Sequence, residues 1–277
     1  MKPSVLILTY NSSLSIEKTL SGLQSISDDI HVVDSGSTDG TLSILEAYGV
    51  HVYHRVFTTY GDQRNWLIRN ASTRYTWQLH LDADEWLTPE LQREIRLLPE
   101  NPGVDGFFIK RYLKFLGRVL RWNLAPTWHM RLFRGTKGHC EDREYDQHFY
   151  CDGPTNTLNE AMIDDIQMSL SEWTARHNRW SDAEVKEYQA PDKSNRIAGD
   201  LQGNIVQRKR AYRSYYDRAP LFLRALLLFL YRYLIKGGFL DGVEGLIFCV
   251  LQTFWFRFLV DSKLIESRLA ARSAVRG

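Results

Sequence analysis

Short apolar runs alternate with helical patterns over the first 105 residues, and this alternation limits the chain to few folds. The runs that predict buried strands are residues 5–8, 29–33, 50–54 and 76–81. Periodic apolar patterns predict helices over residues 14–25 and 63–71, another helix that carries Leu42, Leu45 and Ala47, and a fourth that begins at Pro89. Strands and helices that alternate in this way are typical of βαβ units and a mostly parallel sheet.

Two further strands are predicted downstream of this repeat, at residues 106–115 and 128–133. The composition then changes between residues 160 and 190, where long helical patterns replace the short apolar runs. We therefore expect two domains, an α/β domain over residues 1–165 and a helical, basic region over residues 166–277. A chain of 277 residues is long enough to build one sizeable core with such an appendage.

The bulk composition excludes several classes of protein. A hydrophobic content of 44% and a charged content of 25% are those of a folded protein and argue against disorder. The three cysteines, Cys140, Cys151 and Cys249, form no CxxC pair and predict neither a disulfide framework nor a zinc site. The apolar run after Pro3 is too short for the core of a signal peptide, so we expect a cytoplasmic protein.

The segment over residues 220–260 is apolar and aromatic, with charged residues inside it. Because of these charges, neither of its two apolar runs reaches the ~20 uninterrupted residues that span a bilayer. Two interpretations stay open: helices that lie in the membrane interface, and helices packed on the first domain. Residues 173–236 contain 13 basic and 6 acidic side chains, which favours phosphates or an anionic membrane surface. Nucleic acid is not expected, because no recognition motif accompanies the charge.

Two aspartates, Asp82 and Asp84, follow the predicted strand over residues 76–81. Ligands of open α/β folds bind at the carboxyl ends of the strands, so both aspartates would lie at the binding edge of the sheet. Adjacent carboxylates repel each other unless a cation or a proton lies between them. Their oxygens favour Mg²⁺ or Mn²⁺ bridging to phosphate. The alternative is a turn that caps the helix at Pro89.

Other polar residues follow strands at the same predicted edge. Thr9-Tyr10-Asn11 follows the first strand, and Asp34 follows the second. The carboxylate of Asp34 could accept hydrogen bonds from a nucleobase, and the ring of Tyr10 could cover that base. We interpret Asp39 and Gly40 as the cap of the next helix.

A third helix is predicted to open near Gly61, with Arg64 in its first turn. Backbone N–H groups at the start of a helix favour anions, so this turn is suited to a phosphate. Arg64 could reach a base or a diphosphate, or it could be an ordinary surface arginine. The spacing alone does not separate these alternatives.

Four motifs in this order resemble the family 2 glycosyltransferases, which have the GT-A fold. They are Leu8-Thr9-Tyr10-Asn11, Val32–Thr41, Gln63-Arg64-Asn65 and Leu81-Asp82-Ala83-Asp84-Glu85. The chain most resembles the bacterial lipopolysaccharide-core and exopolysaccharide enzymes, through the strand Trp128–Arg134 and a similar C-terminal region over residues 237–263. The resemblance implies an α/β fold: a Rossmann-like mixed sheet of the GT-A type with a helical, membrane-associating C-terminal extension.

The resemblance also implies an inverting hexosyltransferase. A nucleotide sugar, in the simplest case a UDP-sugar, would bind with Mg²⁺ or Mn²⁺, and an acceptor hydroxyl would attack the anomeric carbon from the opposite face. By analogy with the family, the loop of Thr9, Tyr10 and Asn11 would contribute to the donor site. Asp34 would bind the base and Arg64 the nucleotide. Asp84 would bind the metal directly, with Asp82 nearby.

A general base must remove the proton of the acceptor. In many members of the family a carboxylate stands about six residues before a glycine, and counting back from Gly153 places Asp146 there. We therefore predict Asp146 as the base. An insertion of one or two residues would shift this count, and the alternatives are then Glu141, Asp142 and Glu144. His148 could approach the metal or the phosphate, or it could be a packing residue.

The resemblance finally implies a pathway and a location. A hexose of the glucose type would pass to a lipid-linked saccharide of lipopolysaccharide core or exopolysaccharide, on the inner face of the bacterial inner membrane. Two alternatives keep the fold: transfer to polyprenyl phosphate, and a non-catalytic membrane scaffold of a polysaccharide assembly complex. A haloacid-dehalogenase phosphatase also uses an Asp-x-Asp motif, but it needs Thr or Val where this chain has Trp86.

Overall fold

The computed structural model of the chain describes residues 1–122, 126–141, 147–189 and 199–276. The chain divides into two compact units. Unit 1 comprises residues 1–119 and 126–167, and unit 2 comprises residues 120–125 and 168–277. The functional division predicted at residue 165 stays a prediction.

The strands form one large mixed sheet and one small pair. They are β1 Ser4–Thr9, β2 Ile30–Asp34, β3 His51–His54, β4 Trp77–Asp82, β5 Glu85–Leu87, β6 Gly106–Phe115, β7 Arg118–Leu120, β8 Thr127–Arg134, β9 Gly138–Cys140, β10 Phe149–Cys151 and β11 Thr155–Ile166. The order in the large sheet is β3-β2-β1-β4-β8-β6-β11-β5, with β7 beside β6, and β9 pairs with β10.

The parallel part of this sheet is the βαβ block that the sequence predicts. β1 lies between β2 and β4, with Thr9 opposite Asp34 and Leu8 opposite Asp82. The carboxyl ends of these three strands therefore share one edge. β8 runs antiparallel to both β4 and β6, which makes the sheet mixed. The predicted α/β fold with a mixed sheet of the GT-A type is confirmed.

Helices connect these strands in the described part of unit 1. They are α1 Ile16–Leu23, α2 Thr41–Ala47, α3 Tyr60–Asn70 and α4 Pro89–Leu97. The start of α4 shows why the sequence sets the boundary: Pro89 has a backbone suited to the first turn, and the Thr88 hydroxyl accepts the N–H of Leu91 at 3.3 Å. Leu91 and Ile95 then bury the inner face of the helix against the sheet.

The strand β11 is absent from the sequence prediction, although it completes the sheet. It runs parallel to β6 and antiparallel to β5, and its register with β6 shifts between Thr157 and Ala161. Such a bulge inserts extra residues into one strand. Beyond it, successive side chains alternate between the faces of the sheet. Asp164 forms an ion pair with Arg111, whereas the next residue, Asp165, pairs with two lysines.

Unit 2 is helical. Its helices are α5 Leu170–Gln189, α6 Ile205–Arg218, α7 Leu223–Leu230, α8 Gly242–Phe248 and α9 Phe256–Arg276. α7 continues as a π-helical segment over Tyr231–Ile235, and Cys249–Trp255 joins α8 to α9 in the same way. The helical stretch Gly238–Ser273 is long and apolar enough to cross a membrane on length and composition alone. The charges that interrupt the apolar runs in the sequence therefore do not interrupt the helix.

The interior of unit 2 contains buried ion pairs. The carboxylate of Glu184 accepts hydrogen bonds from both Arg213 and Arg257, the latter at 2.7 Å. Arg224 Nε donates to Asp261 Oδ1 at 2.9 Å, and both side chains are buried. Part of the positive charge that the sequence places on this region is thus paired inside the unit.

Candidate active site

The loops after β1 and β2 are tied to each other by hydrogen bonds. Asn11 adopts a left-handed backbone (φ 47°), its N–H donates to Ser37 Oγ at 2.9 Å, and its Oδ1 accepts the N–H of Thr38 at 2.8 Å. Asparagine tolerates this conformation because its short side chain makes local hydrogen bonds. Tyr10, which is 60% exposed, is held beside this junction at the sheet edge.

Asp34 is fully buried and organises its own loop. Its Oδ2 accepts the N–H groups of Gly36 and Ser37, each at 2.9 Å, and its Oδ1 accepts the Ser37 hydroxyl at 2.5 Å. A carboxylate has lone pairs beyond these three bonds, so a further donor can still be accepted. The structure gives Asp34 a positioning role, and its contact with a base stays a prediction.

Gly40 is the N-cap of α2, and Asp39 before it binds the first residue of the helix, as the sequence indicates for this pair. Its Oδ1 accepts both the N–H and the hydroxyl of Thr41, at 3.0 and 2.5 Å, and its Oδ2 accepts the N–H of Ser13 at 3.1 Å. Burial acts to raise the pKa of Asp39, but these hydrogen bonds outweigh it and hold the pKa well below its usual range. Asp39 therefore stabilises the junction of the two loops.

Two buried arginines converge on Asp82. Arg64 Nη2 donates to both carboxylate oxygens of Asp82, at 2.8 and 3.1 Å, and Arg131 Nη2 donates to Oδ2 at 3.1 Å. Burial opposes ionisation, yet the two guanidinium groups hold the pKa of Asp82 well below its usual range. The ring of Phe149 lies 5.0 Å from Arg64 Cζ and 5.7 Å from Arg131 Cζ, which adds a cation–π contact to each.

Arg131 was missed by the sequence analysis, which assigned its strand but gave this residue no role. The available signal was an arginine inside an otherwise apolar strand segment, Met130-Arg131-Leu132-Phe133. A charged residue at a buried strand position needs a partner of opposite charge. Its partners, Asp82 and Glu85, both belong to the motif Leu81-Asp82-Ala83-Asp84-Glu85 described above.

Glu85 holds its neighbours in place. Its Oε2 accepts the N–H of Asp82 at 3.0 Å, and its Oε1 accepts Arg131 Nη2 at 2.5 Å. The side chain is completely buried. Glu85 therefore fixes both the backbone of Asp82 and Arg131, which donates to the Asp82 carboxylate.

Asp84 differs from Asp82, although only one residue separates them. Its carboxylate has no hydrogen bond or ion pair with any other residue in the part of the chain that the structure describes. Its backbone C=O accepts the N–H of Asp165 at 2.9 Å, which fixes the corner. Burial, and then the carboxylates of Asp164, Asp82 and Glu85, raise the pKa of Asp84 well above its usual range.

The residues around Asp84 fit a divalent cation. A cation beside a half-buried carboxylate that has no partner among the described residues removes the penalty that raises its pKa. Within the described ranges, no three His, Cys, Asp or Glu side chains form a complete metal cage. Mg²⁺ and Mn²⁺ do not need one when one or two carboxylates and the phosphates of a substrate supply the oxygens.

Arg111 and Asp164 are two more residues that the sequence did not indicate. Arg111 Nη1 lies 3.0 Å from Asp164 Oδ2 and 3.5 Å from Glu85 Oε1. They stand on the neighbouring strands β6 and β11, whose pairing brings them to the corner beside Asp84. Asp164 thereby adds negative charge to the predicted metal site, and Arg111 balances part of it.

The predicted base, Asp146, lies outside the described residues, and so do its alternatives Asp142 and Glu144. The remaining alternative, Glu141, is buried and its Oε2 accepts the N–H of His148 at 3.0 Å. His148 Nδ1 lies 3.4 Å from the same oxygen. These contacts give Glu141 and His148 a mutual packing role, and Asp146 stays the predicted base.

Asn65 connects this region to the helix that carries Arg64. Its Nδ2 donates to the C=O of Cys140 and its Oδ1 accepts the N–H of Cys140, both at 2.9 Å. The Asn65 side chain thus makes the two hydrogen bonds with Cys140 that the backbone of an adjacent strand would make. The Gln63-Arg64-Asn65 motif therefore both holds Asp82 and docks the β9–β10 pair.

The chain belongs to glycosyl transferase family 2, whose family model matches residues 4–165. It is 26% identical over 281 residues to an uncharacterized glycosyltransferase of Rickettsia bellii, covering 99% of this chain and 90% of that protein. It is 27% identical over 143 residues to the lipopolysaccharide core biosynthesis glycosyltransferase LpsC of Rhizobium meliloti, covering 49% of this chain and 52% of LpsC. The predicted family is confirmed, and the protein is a glycosyltransferase.

Two solved structures are similar over much of the chain. TarS 1–349 of S. aureus has a TM-score of 0.45 at 14% identity, covering 96% of this chain and 92% of that one. Glucosyl-3-phosphoglycerate synthase of Mycobacterium tuberculosis, in complex with Mn²⁺, uridine diphosphate and glucosyl-3-phosphoglycerate, has a TM-score of 0.41 at 15% identity. That match covers 69% of this chain and 81% of the synthase.

Proposed function

We propose that this glycosyltransferase is metal-dependent and inverting, and that it binds the diphosphate of its sugar donor at the corner between β4 and β5. The observation that carries the proposal is the contrast between two neighbouring aspartates. Asp82 is neutralised by Arg64 and Arg131, whereas the carboxylate of Asp84 has no partner among the described residues. Asp84 would hold Mg²⁺ or Mn²⁺, which when bound stabilises the departing nucleoside diphosphate.

The two interlocked loops would hold the nucleoside. Asp34 and Asn11 fix the loops, and Tyr10 would cover the base from its exposed position. The Thr9 hydroxyl is buried and has no hydrogen-bond partner within the described residues, so it is available to a ligand at the strand end. A UDP-sugar of the glucose type is the donor that we propose.

Arg64 would orient the nucleotide. Its Nη2 is committed to Asp82, but its Nε is buried and has no partner in the described part of the chain. A buried guanidinium at the edge of this site supports binding of a diphosphate through charge. Asp146 would act as the general base that takes the proton from the acceptor hydroxyl.

The acceptor that we propose is a lipid-linked saccharide of lipopolysaccharide core or exopolysaccharide, used at the inner face of the bacterial inner membrane. The partial likeness to LpsC, named for lipopolysaccharide core biosynthesis, supports this choice. Transfer to polyprenyl phosphate is the alternative that one observation favours. The helical stretch Gly238–Ser273 is long and apolar enough to cross a membrane by length and composition, which would bring the chain close to a membrane-embedded acceptor.

The test is donor turnover by the purified full chain. Incubation with Mn²⁺ and a panel of nucleotide sugars should release a nucleoside diphosphate from one donor, and a chelator should abolish the release. Asp84→Asn should remove both turnover and Mn²⁺ binding measured by electron paramagnetic resonance. Asp182→Asn, at an exposed position of α5, is the matched control and should leave both unchanged. The proposal fails if no donor is bound or cleaved, or if Asp84→Asn retains full turnover.

A further inference from the structure

The helix α7 and its π-helical continuation have an inverted polarity. Between residues 222 and 235 every exposed side chain is apolar or a tyrosine, and six of them follow one face: Leu226, Leu227, Leu230, Tyr231, Leu234 and Ile235. The charged residue Arg224 is instead buried. A helix on the surface of a soluble protein has the opposite arrangement, with polar residues outward and apolar residues inward.

The stretch that contains α8 repeats this pattern. Its exposed side chains between residues 239 and 250 are Phe239, Leu240, Val243, Leu246 and Val250. Its Asp241 is buried, and the carboxylate accepts the N–H groups of Arg121 and Trp122 at 2.8 and 3.0 Å. Both helices therefore turn charge inward and apolar side chains outward.

The two helices belong to one surface. α7 packs against the π-helical segment Cys249–Trp255 that continues α8, and the ring of Phe229 lies 6.3 Å from the ring of Phe254. Exposed apolar side chains of both helices therefore lie on adjacent elements, and we call them together the α7–α8 face. Many exposed apolar side chains on adjacent elements mark an interaction site.

The exposed charges of the same unit indicate what covers this face. Over residues 199–273 the exposed basic side chains are Arg208, Lys209, Arg218, Lys236, Arg268 and Arg272, whereas the exposed acidic ones are Asp200 and Glu266. The acidic residues Asp241 and Asp261 are buried in hydrogen bonds. A basic surface with an apolar face complements a bilayer that contains anionic lipids.

We propose that the α7–α8 face docks on the surface of an anionic membrane, with both helices lying in the plane of the interface. The proposal goes beyond the transferase function, because it rests on unit 2 alone. The residues that enter the acyl boundary are the outward leucines and aromatic residues, and exposed lysine and arginine side chains contact the headgroups.

The geometry favours docking in the plane over a spanning helix. At 1.5 Å per residue, the apolar stretch of residues 222–235 is only about 20 Å long, shorter than the ~30 Å hydrocarbon core. In the longer helical stretch Gly238–Ser273, Phe248, Cys249 and Phe256 are buried within unit 2 and do not face lipid. Beyond Phe258, the long helix carries Asp261, which is bound to Arg224, and then a series of charges: Lys263, Glu266, Arg268 and Arg272.

The experiment is co-sedimentation of the full chain with two kinds of vesicle. One contains phosphatidylcholine alone, and the other also contains about 30% of the anionic lipid phosphatidylglycerol. We expect binding that is at least about tenfold stronger with the anionic lipid and that weakens at high salt. Leu227→Glu and Leu234→Glu should each weaken binding about tenfold, and the double variant about 100-fold, because a carboxylate replaces a buried leucine contact.

Leu97→Glu is the matched control, since Leu97 is an exposed leucine on α4 in unit 1. It should bind vesicles as the unchanged chain does. All four exchanged chains should keep their thermal unfolding temperature, because each exchange is at an exposed position, and a retained temperature separates lost docking from lost folding.

Three outcomes would overturn the proposal. The unchanged chain could fail to bind either vesicle, or it could form a lipid-free dimer that Leu227→Glu dissociates, which would make a second copy the partner. A C-terminal tag could also be protected from protease inside sealed vesicles, which would mean that the helix spans the bilayer. Donor turnover in detergent is measured on the same preparations, so failure of the transferase function and failure of docking remain distinguishable.

Discussion

In each unit a carboxylate lies between two arginines, and the two sites differ in what lies beside them. In unit 1, Asp82 accepts from Arg64 and Arg131. In unit 2, Glu184 accepts from Arg213 and Arg257. Only the first lies at the carboxyl edge of a sheet, next to a second carboxylate that has no partner in the described ranges. A carboxylate paired with arginines is therefore common to both units, and the unpaired carboxylate of Asp84 is what marks the first as a candidate active site.

The physical cause of the difference is the balance of charge. A buried ion pair with matched partners mainly fixes structure. Removing one partner leaves the charge of the others buried and unpaired. Beside Asp82, the carboxylates of Asp84, Glu85 and Asp164 raise the local negative charge, and burial raises the pKa of Asp84 further.

The largest effect is expected from Asp84→Asn. Donor turnover should fall by about 1,000-fold or more, because the loss of a metal ligand removes several kcal/mol of transition-state stabilisation. Without metal, the same exchange should stabilise the fold by about 1 kcal/mol at pH 7, because it removes a buried carboxylate whose charged form is disfavoured. Urea unfolding with and without Mn²⁺ measures both effects.

The sign of the pH dependence follows from the raised pKa of Asp84. The folded state binds its proton more tightly than the unfolded chain does, so the penalty is present above the usual carboxyl pKa. Below that pKa the carboxyl is protonated in both states, and the stability difference between the two chains should vanish. An asparagine chain that is less stable than the unchanged one at pH 7 would contradict an unpaired Asp84.

The second effect concerns the matched site in unit 2. Glu184→Gln should lower the free energy of unfolding by about 3 kcal/mol, because Arg213 and Arg257 lose the carboxylate between them. Donor turnover, measured well below the unfolding temperature, should stay within about twofold, since a change of that size lies below 1 kcal/mol of barrier. A large loss of turnover in a fully folded chain would place Glu184 in the chemistry.

Asp82→Asn should behave as an intermediate case. We expect a loss of about 2 kcal/mol in stability, less than at Glu184, because the Asp82 side chain is partly exposed and solvent screens it. Turnover should fall as well, since Arg64 loses the group that orients it. Unfolding in urea and the donor KM, measured on the same preparation, separate the two contributions.

The smallest effect is expected from Arg131→Lys. Arg131 Nη2 donates to both Asp82 and Glu85, and a lysine keeps the charge but carries its ammonium on a differently shaped side chain, so we expect about a tenfold loss in kcat/KM. Arg131→Gln should cost more than the lysine exchange if Arg131 positions Asp82 by charge. Mn²⁺ affinity should be nearly unchanged in the lysine variant, and equal effects of both exchanges would show that only packing matters.

The sheet edge could be predicted from the sequence because buried parallel strands appear directly as apolar runs. Each run ends in polar residues, so the positions of Thr9, Asp34 and Asp82 follow from the connection rule for parallel strands. The four motifs then indicate the family, which the match to residues 4–165 confirms. Helix starts were also accessible, as Pro89 and Asp39 show.

The partners of the site residues could not be predicted. Arg131 lies 49 residues from Asp82 along the chain, and only the order of strands in the mixed sheet brings them together. β11 was missed because acidic residues, among them Asp164 and Asp165, interrupt its short apolar pattern. Their partners stand on other elements, so the local sequence gives no reason to bury them.

The bulge in β11 has a consequence for how this sequence can vary through evolution. It sets the phase of the strand, so that Asp164 meets Arg111 and Asp165 meets Lys18 and Lys114. Deleting a single residue between Thr157 and Ala161 would shift the register of the strand by one residue. Asp164 and Asp165 would then each point to the opposite face of the sheet. Both aspartates could survive such a deletion and each would still meet the wrong partners. Relatives should therefore tolerate point substitutions in this bulge far more readily than a change in its length.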